Sequence, residues 1–417
     1  MNENEHNRAF NALLSAFFVN FLGYAFIVPI LPSWQTQFDM NATQSTLLVS
    51  LWAVPMFLFG PWTGRLADRF GAGQTIFACI LLLSSSSLLY LIATEWDTSH
   101  PVLLLGIARL LHGASGAAIM TAGLAAASQI WPTNFGEKAG ALLGIGAVGG
   151  LFGPVLGGLL FTAAKGFAFQ ALALITLIAA PFVYLSRHDI TSDAAPAQGN
   201  VSIAAFFKDP VLLRVGILLT MTTVATGALE AGVPLFLDDS LKLSSAAIGG
   251  ILLAMVLMQG IGSFLWGKFV DRNGPTRYML LGWLLVVFSL IGVSVTGLVL
   301  EGKSVVLAII VLLALFQFSI AAAQIPMLPI IDAASHRTFG EGNPGLAFGM
   351  SGTAWAAGTI IGPLLVGPVF DWSNSWPIAL GILAIPTAFA LYITFSNRTE
   401  LTRCYESEIE RRKSQSP

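Results

Sequence analysis

Apolar residues in this chain neither alternate with polar ones nor recur on one face of a helix. They run in blocks of about twenty or more, broken by short polar punctuation. Twelve blocks fall at 10–32, 45–66, 74–94, 102–127, 138–162, 166–186, 211–237, 245–268, 276–299, 304–332, 345–370 and 374–396. A helix rises about 1.5 Å per residue and a bilayer's hydrocarbon core is about 30 Å thick, so each block is long enough to cross. The pattern predicts an all-α membrane protein with twelve transmembrane helices. The first block follows Arg8 but is too long for a signal-peptide core and lacks a small-residue cleavage site. It is expected to remain as the first span.

Composition supports this and adds an orientation. Of 417 residues, 55% are hydrophobic and 10% charged, with a mean hydropathy of +0.77. A water-facing surface needs far more charge. Sixteen of the twenty Lys and Arg residues fall on the side shared by the two termini, against Lys165, Lys242 and Lys303 opposite and Arg109 within a span. That bias predicts cytoplasmic termini. A net charge of −2 with no basic domain gives no footprint for nucleic acid. Cys79 and Cys404 suggest neither a disulfide nor a metal site, and no phosphate loop is present, so no cofactor or metal is expected.

The longest internal gap, 187–210, runs through the small and polar stretch Thr191 to Asn200 and ends at Lys208-Asp209-Pro210, which reads as a cytoplasmic linker. It divides an N-terminal six-helix bundle (1–186) from a C-terminal one (211–398), with a cytoplasmic tail at 399–417. The halves echo each other. Gly64-Arg-Leu-Ala-Asp68-Arg69-Phe-Gly71 returns as Gly267-Lys-Phe-Val-Asp271-Arg272-Asn-Gly274, and Gly153-Pro154 returns as Gly362-Pro363. Duplicated bundles place a solute site near the midplane between the repeats, so the architecture itself predicts transport.

These residues resemble the major facilitator superfamily over essentially the whole chain, and within it the drug:proton antiporter branch that includes the vesicular amine transporters. The stretch Gly60-Pro-Trp-Thr-Gly64-Arg-Leu-Ala-Asp68-Arg69-Phe-Gly71 resembles the superfamily's gating motif, with Asp271 and Arg272 in the second copy. Basic residues usually follow that motif, whereas Ala72 and Gly73 follow here. The fifth span, with Gly149, Gly150, Gly153-Pro154 and Gly157-Gly158, is similar to the antiporter-type motif. The first span, Asn20 to Pro32, and Ala228 to Pro234 look like the branch's equivalents. The branch's amine-binding aspartate is Asn20 here, and its later acids are replaced by Gln324 and Gly352. An amine substrate is therefore not implied.

Ionisable groups within a span are costly and mark function by default. The candidates are Arg109 and His112 in the fourth span and Glu230 in the seventh. Arg109 and Glu230 both lie roughly 10–12 Å from the outer end of their spans, with Tyr24 at a similar depth and Asn20 near the midplane. His112 shares a face with Arg109 through its i,i+3 spacing. Arg109 matches the superfamily's fourth-helix basic residue, which implies a part in proton coupling. Glu230 is the one carboxylate well inside a span and is suited to take up and release a proton. Asp238, Asp239 and Asp332 are expected to meet water. Gln259, Gln317, Gln324 and Trp355 are further polar or aromatic positions of the later spans.

The expected protein is a multi-pass monomer of a bacterial inner membrane or a eukaryotic plasma or vesicle membrane. It exports a small organic solute against protons by alternating access, with lipid as its surroundings. A proton-coupled symporter or an exchanger of a small organic anion is the close alternative. A membrane-embedded enzyme is a remote one, since Arg109, His112 and Glu230 supply no nucleophile.

Overall fold

A computed structural model describes residues 3–131, 135–190, 207–299, 303–339 and 344–415. Among these residues every regular element is a helix. The first five expected spans are α1 (Glu3–Phe26) with α2 (Leu31–Gln37), α3 (Ala42–Leu51) with α4 (Ala53–Phe70), α5 (Ala72–Glu95), α6 (Pro101–Ile130) and α7 (Phe135–Ala163). Then follow α8 (Lys165–Leu185), α9 (Pro210–Leu241), α10 (Ser245–Asn273) and α11 (Thr276–Val299). The last three spans are α12 (Lys303–Gln324) with α13 (Met327–Phe339), α14 (Pro344–Ser373), and α15 (Trp376–Gly381) with α16 (Ala384–Ser396); α17 (Arg398–Gln415) closes the chain. All twelve apolar blocks fall on helices. Eleven stretches are long and apolar enough to cross a membrane, or twelve if α3 and α4, bent by 45°, form one span.

The breaks follow from proline chemistry. Proline has no N–H to give the carbonyl four residues back, and its ring crowds that carbonyl. Pro55 therefore leaves Leu51, the last residue of α3, without its helical donor. Pro386 does the same to Ile382 between α15 and α16, and Pro29 to Ala25 beside the end of α1. Pro154, Pro181, Pro234, Pro363 and Pro368 nevertheless sit inside unbroken helices. Proline permits a break, and packing decides whether one forms.

Lipid offers no hydrophobic drive between helices, so close contact depends on small residues that let backbones meet. On α7, Gly149, Gly153 and Gly157 recur every four residues against α1. A Cβ on them would lie 2.3 Å from the Phe18 carbonyl oxygen, 2.6 Å from that of Leu22 and 1.9 Å from that of Phe26. On α14, Gly358 and Gly362 meet α9 in the same way, at 2.4 Å from the Thr220 oxygen and 2.2 Å from the Val224 oxygen. The sequence echo is thus a repeated helix contact.

The chain separates into two compact units, Met1–Ala197 with Val233–Leu253, and Gln198–Gly232 with Ala254–Pro417. The first unit includes the end of α9 and the start of α10, where Ser33 and Ser245 bring their hydroxyls to 3.3 Å. A Cβ on Gly158 or Gly249 would strike the carbonyl of Ser245 or Pro154. Most of the expected linker, 191–206, lies outside the described residues. In the second unit the expected tail is helical: α17 buries Leu401 and Cys404, pairs Glu400 with Arg214, and joins Thr402 to Thr276 at 2.8 Å. Cys79 and Cys404 are both buried free thiols.

Candidate functional site

The second expected span is broken between α3 and α4, and the site begins there. At the bend, Trp52 N–H turns back to the Val49 carbonyl, three residues away, and not to that of Leu48. The Leu48 carbonyl so released accepts the Arg109 Nε hydrogen bond at 3.0 Å. Gly113 makes the approach of α6 possible, since a Cβ there would lie 2.0 Å from the Trp52 carbonyl oxygen. The break between α3 and α4 thereby provides the acceptor for an arginine in another helix.

Arg109 is 0% exposed. Its guanidinium lies 5.5 Å from the centre of the Tyr24 ring, which packs on Trp52 at 4.2 Å. Cation–π attraction favours the charge but supplies no hydrogen-bond acceptor in the guanidinium plane. Both terminal nitrogens are buried and lack a hydrogen-bond partner, and Arg109 forms no ion pair among the described residues. One turn on, His112 is equally buried and neither ring nitrogen is hydrogen-bonded. Gly23 leaves room for its ring, at 3.1 Å from a Cβ position, and Gly116 leaves room for the Asn20 amide oxygen at 2.7 Å. The Asn20 amide is buried with both polar atoms unpartnered.

Arg109, His112, Asn20 and Tyr24, expected from the sequence, thus come together within the first unit. Trp52 and Tyr90 were missed. Tyr90 on α5 is fully buried 6.4 Å from the His112 ring, and its hydroxyl faces Arg109 without closing a hydrogen bond. A tyrosine within the third block, shortly after the Ser84 to Ser87 run, was the available signal.

Glu230 and Gln324 lie in the second unit, both half-buried, on α9 and at the end of α12. Pro234 has no N–H for the Glu230 carbonyl four residues back, so the carboxylate stands where α9 lacks one rung of its ladder. Gln317 is buried with its side-chain oxygen unpartnered, while Gln259, Trp355 and Asp332 are half-buried.

Of the expected gating residues, Gly64, Asp68 and Asp271 lie in α4 and α10, and their side chains are outside the described set. Arg69 is exposed and lies 5.3 Å from the Phe70 ring; Arg272 is exposed. The closing glycines of the two copies, Gly71 and Gly274, have φ of +87° and +79°. A side chain is strained at such angles, so glycine is required at the same point of each repeat. In the antiporter-type motif Gly149, Gly153 and Gly157 face α1, Gly158 faces the start of α10, and Pro154 offers its carbonyl beside Gly249.

The chain can be compared with known proteins on this basis. It is 28% identical over 396 residues to Multidrug resistance protein 2 of Bacillus subtilis, covering 90% of this chain and 92% of that protein. It is 24% identical over 438 residues to MFS-type transporter SLC18B1 of Homo sapiens, covering 91% and 93%. To the class B tetracycline resistance protein of Escherichia coli it is 25% identical over 399 residues, covering 90% and 92%. The crystal structure of a bacterial homologue of the human lysosomal transporter Spinster, inward-facing and unoccupied, shares the fold with a TM-score of 0.72 at 12% identity, over 98% of this chain and 99% of that one. A bacterial ferroportin homologue in an inward-facing state gives 0.71 at 14% identity, over 93% and 98%. The Major Facilitator Superfamily model matches residues 13–328 and again 222–410. Apolar helices, repeated glycine contacts, the paired motif and this match lead to one conclusion: the chain is an integral multi-pass membrane transporter, not an enzyme, and belongs to the Major Facilitator Superfamily.

Proposed function

We propose that this transporter exports a small organic solute by proton antiport, through alternating access between two six-helix bundles whose termini are cytoplasmic. The observation that carries the reading is the segregation of charge. A fully buried arginine stands in the first unit, and a half-buried carboxylate within a candidate span, Glu230, stands in the second. Arg109 acts as fixed charge. Glu230 takes up and releases the coupled proton, and His112, one turn from Arg109, is the second residue placed on the proton path. Proton binding at Glu230 competes with solute release. Asn20, Tyr24 and Gln324 contact the solute, and the two copies of the gating motif, Gly64 to Gly71 and Asp271-Arg272, control closure. The chain works as a monomer in the bilayer. The names of its relatives, multidrug and tetracycline resistance proteins, support export.

Transport in proteoliposomes tests this. Glu230→Gln is expected to abolish solute accumulation driven by a proton gradient and to leave solute exchange at equal pH measurable. A variant that still concentrates solute against its gradient refutes the assignment. Asn20 in place of an acid, with Arg109 buried in the same unit, favours a second reading, in which the solute is an organic anion carried together with a proton. Proton flux then runs with the solute and not against it, which counterflow at varied pH distinguishes.

A further inference from the structure

Seven polar atoms without hydrogen-bond partners are buried around one face of α6: both terminal nitrogens of Arg109, both ring nitrogens of His112, both amide atoms of Asn20 and the Tyr90 hydroxyl. Buried polar groups are normally satisfied, and a buried charge without a counter-charge is the costliest exception. All four residues belong to the first unit and come from α1, α5 and α6. Charge makes the set unbalanced. The guanidinium only donates, while the phenol and a neutral imidazole each bring one donor and the carboxamide two, beside their own acceptor atoms, and none of the three carries a negative charge. The Leu48 carbonyl already occupies Arg109 Nε, so the two terminal nitrogens remain for something else. Arg109 gains no carboxylate among the described residues, and the Tyr24 ring accepts no in-plane hydrogen bond.

We propose that the interior of the first unit binds a monovalent anion on the Arg109 guanidinium, with Tyr90, Asn20 and His112 as neutral donors around it. The anion supplies the counter-charge that this set lacks and an acceptor for the Arg109 terminal nitrogens. A halide ion and a carboxylate group carried by the solute share this chemistry. The carboxylate case rests on the transport reading above, whereas the halide case stands without it.

Thermal unfolding of the purified full-length chain tests the site, because an anion that binds only the folded state raises the melting temperature. Sodium gluconate, whose strongly hydrated polyhydroxyl chain disfavours entry into an apolar interior, is replaced stepwise by chloride, bromide or nitrate at constant ionic strength, and in a second arm by acetate or benzoate. A saturable rise of several degrees is expected in at least one arm; the arm that responds identifies the source. Arg109→Gln is expected to lose the rise. Tyr90→Phe removes one neutral donor and little volume, so it is expected to fold and to raise the half-saturating concentration about fivefold. If Arg109→Gln does not fold, Tyr90→Phe decides. Glu230→Gln is expected to keep the full response whether or not its transport is lost, so a failure of the proton assignment is seen separately. An unfolding temperature that does not depend on the anion, or equal half-saturation in wild type and Tyr90→Phe, overturns the proposal.

Discussion

Asp209 uses its two carboxylate oxygens for different tasks. Oδ1 accepts the Val211 and Leu212 N–H groups at 2.9 and 3.0 Å and so caps α9, with Pro210 at the position where a helix needs no N–H. Oδ2 accepts Arg337 Nη2 and the Thr338 hydroxyl, each at 2.7 Å. Partial burial pushes the Asp209 carboxyl up. The Leu212 N–H, the Thr338 hydroxyl and Arg337 outweigh it and hold the carboxyl below its ordinary range. A carboxyl lowered on folding stabilises above its unfolded value of about 4, and that contribution is lost only as pH falls through the lower folded value. The Asp209 contacts therefore persist from pH 5 to 8, and pH dependence of transport in that range belongs to other groups. Asp209→Asn keeps a capping side chain and loses only the charge. Because the Arg337 side chain is 48% exposed, this is expected to cost less than about 1 kcal/mol. Asp209→Ala loses the cap as well and is expected to cost about 1–2 kcal/mol. Thermal unfolding of both variants checks the order, and an alanine variant as stable as wild type would remove the cap from the account. The sequence Asp209-Pro210 made this cap legible as the end of a linker, but its link to Arg337 and Thr338 depends on α13 and could not be read along the chain.

At the scale of the elements, glycine position matters more than glycine content. Gly157 touches the Phe26 backbone, and backbone on both sides cannot move aside. Gly150, on the same helix, has nothing within 4 Å of its Cβ position. Gly157→Leu is expected to lose most of the folded protein, since overpacking alone costs about 1–3 kcal/mol even in cores that can adjust. Gly150→Ala is expected to raise the melting temperature slightly, because alanine favours a helix over glycine by about 1 kcal/mol. Size-exclusion yield and thermal unfolding compare the two, and equal behaviour would refute the packing argument. The element positions were legible from the apolar blocks because lipid permits few alternatives to a helix. The handover of the Leu48 carbonyl to Arg109 was not, although Pro55 was in plain view. It depends on α6 crossing the break at Gly113, and no local pattern encodes that crossing.

At the scale of the whole molecule, two local features recur along the chain. The repeated motif ends on a positive-φ glycine in each half, and the repeated glycine contacts join α1 to α7 and α9 to α14. The echo was visible in the sequence because both copies keep glycines whose backbone geometry tolerates no substitute. Solute chemistry was less visible, since Asn20, Tyr90 and His112 could equally serve packing until their burial without partners was seen. The gate assigned to the motif yields a separable expectation: Asp68→Asn slows turnover several-fold and leaves solute binding unchanged, because it acts on closure and not on contact. Binding measured by tryptophan fluorescence, set beside initial rates in proteoliposomes, checks this. Weakened binding at unchanged turnover would remove Asp68 from the gate.

The burial of both native thiols makes the chain a ready background for spectroscopic labels. Cysteine reacts as the thiolate, and burial, more than any other influence nearby, pushes the Cys404 thiol above its ordinary range. A maleimide label is therefore expected to attach quickly to a cysteine placed at exposed Glu406 and only slowly to Cys404. The slow rate has a use of its own. Cys404 is covered by the docking of α17, so its labelling rate counts how often that helix lifts. Glu400→Gln, which removes the charge that holds Arg214, is expected to speed labelling at Cys404 while the rate at position 406 stays constant.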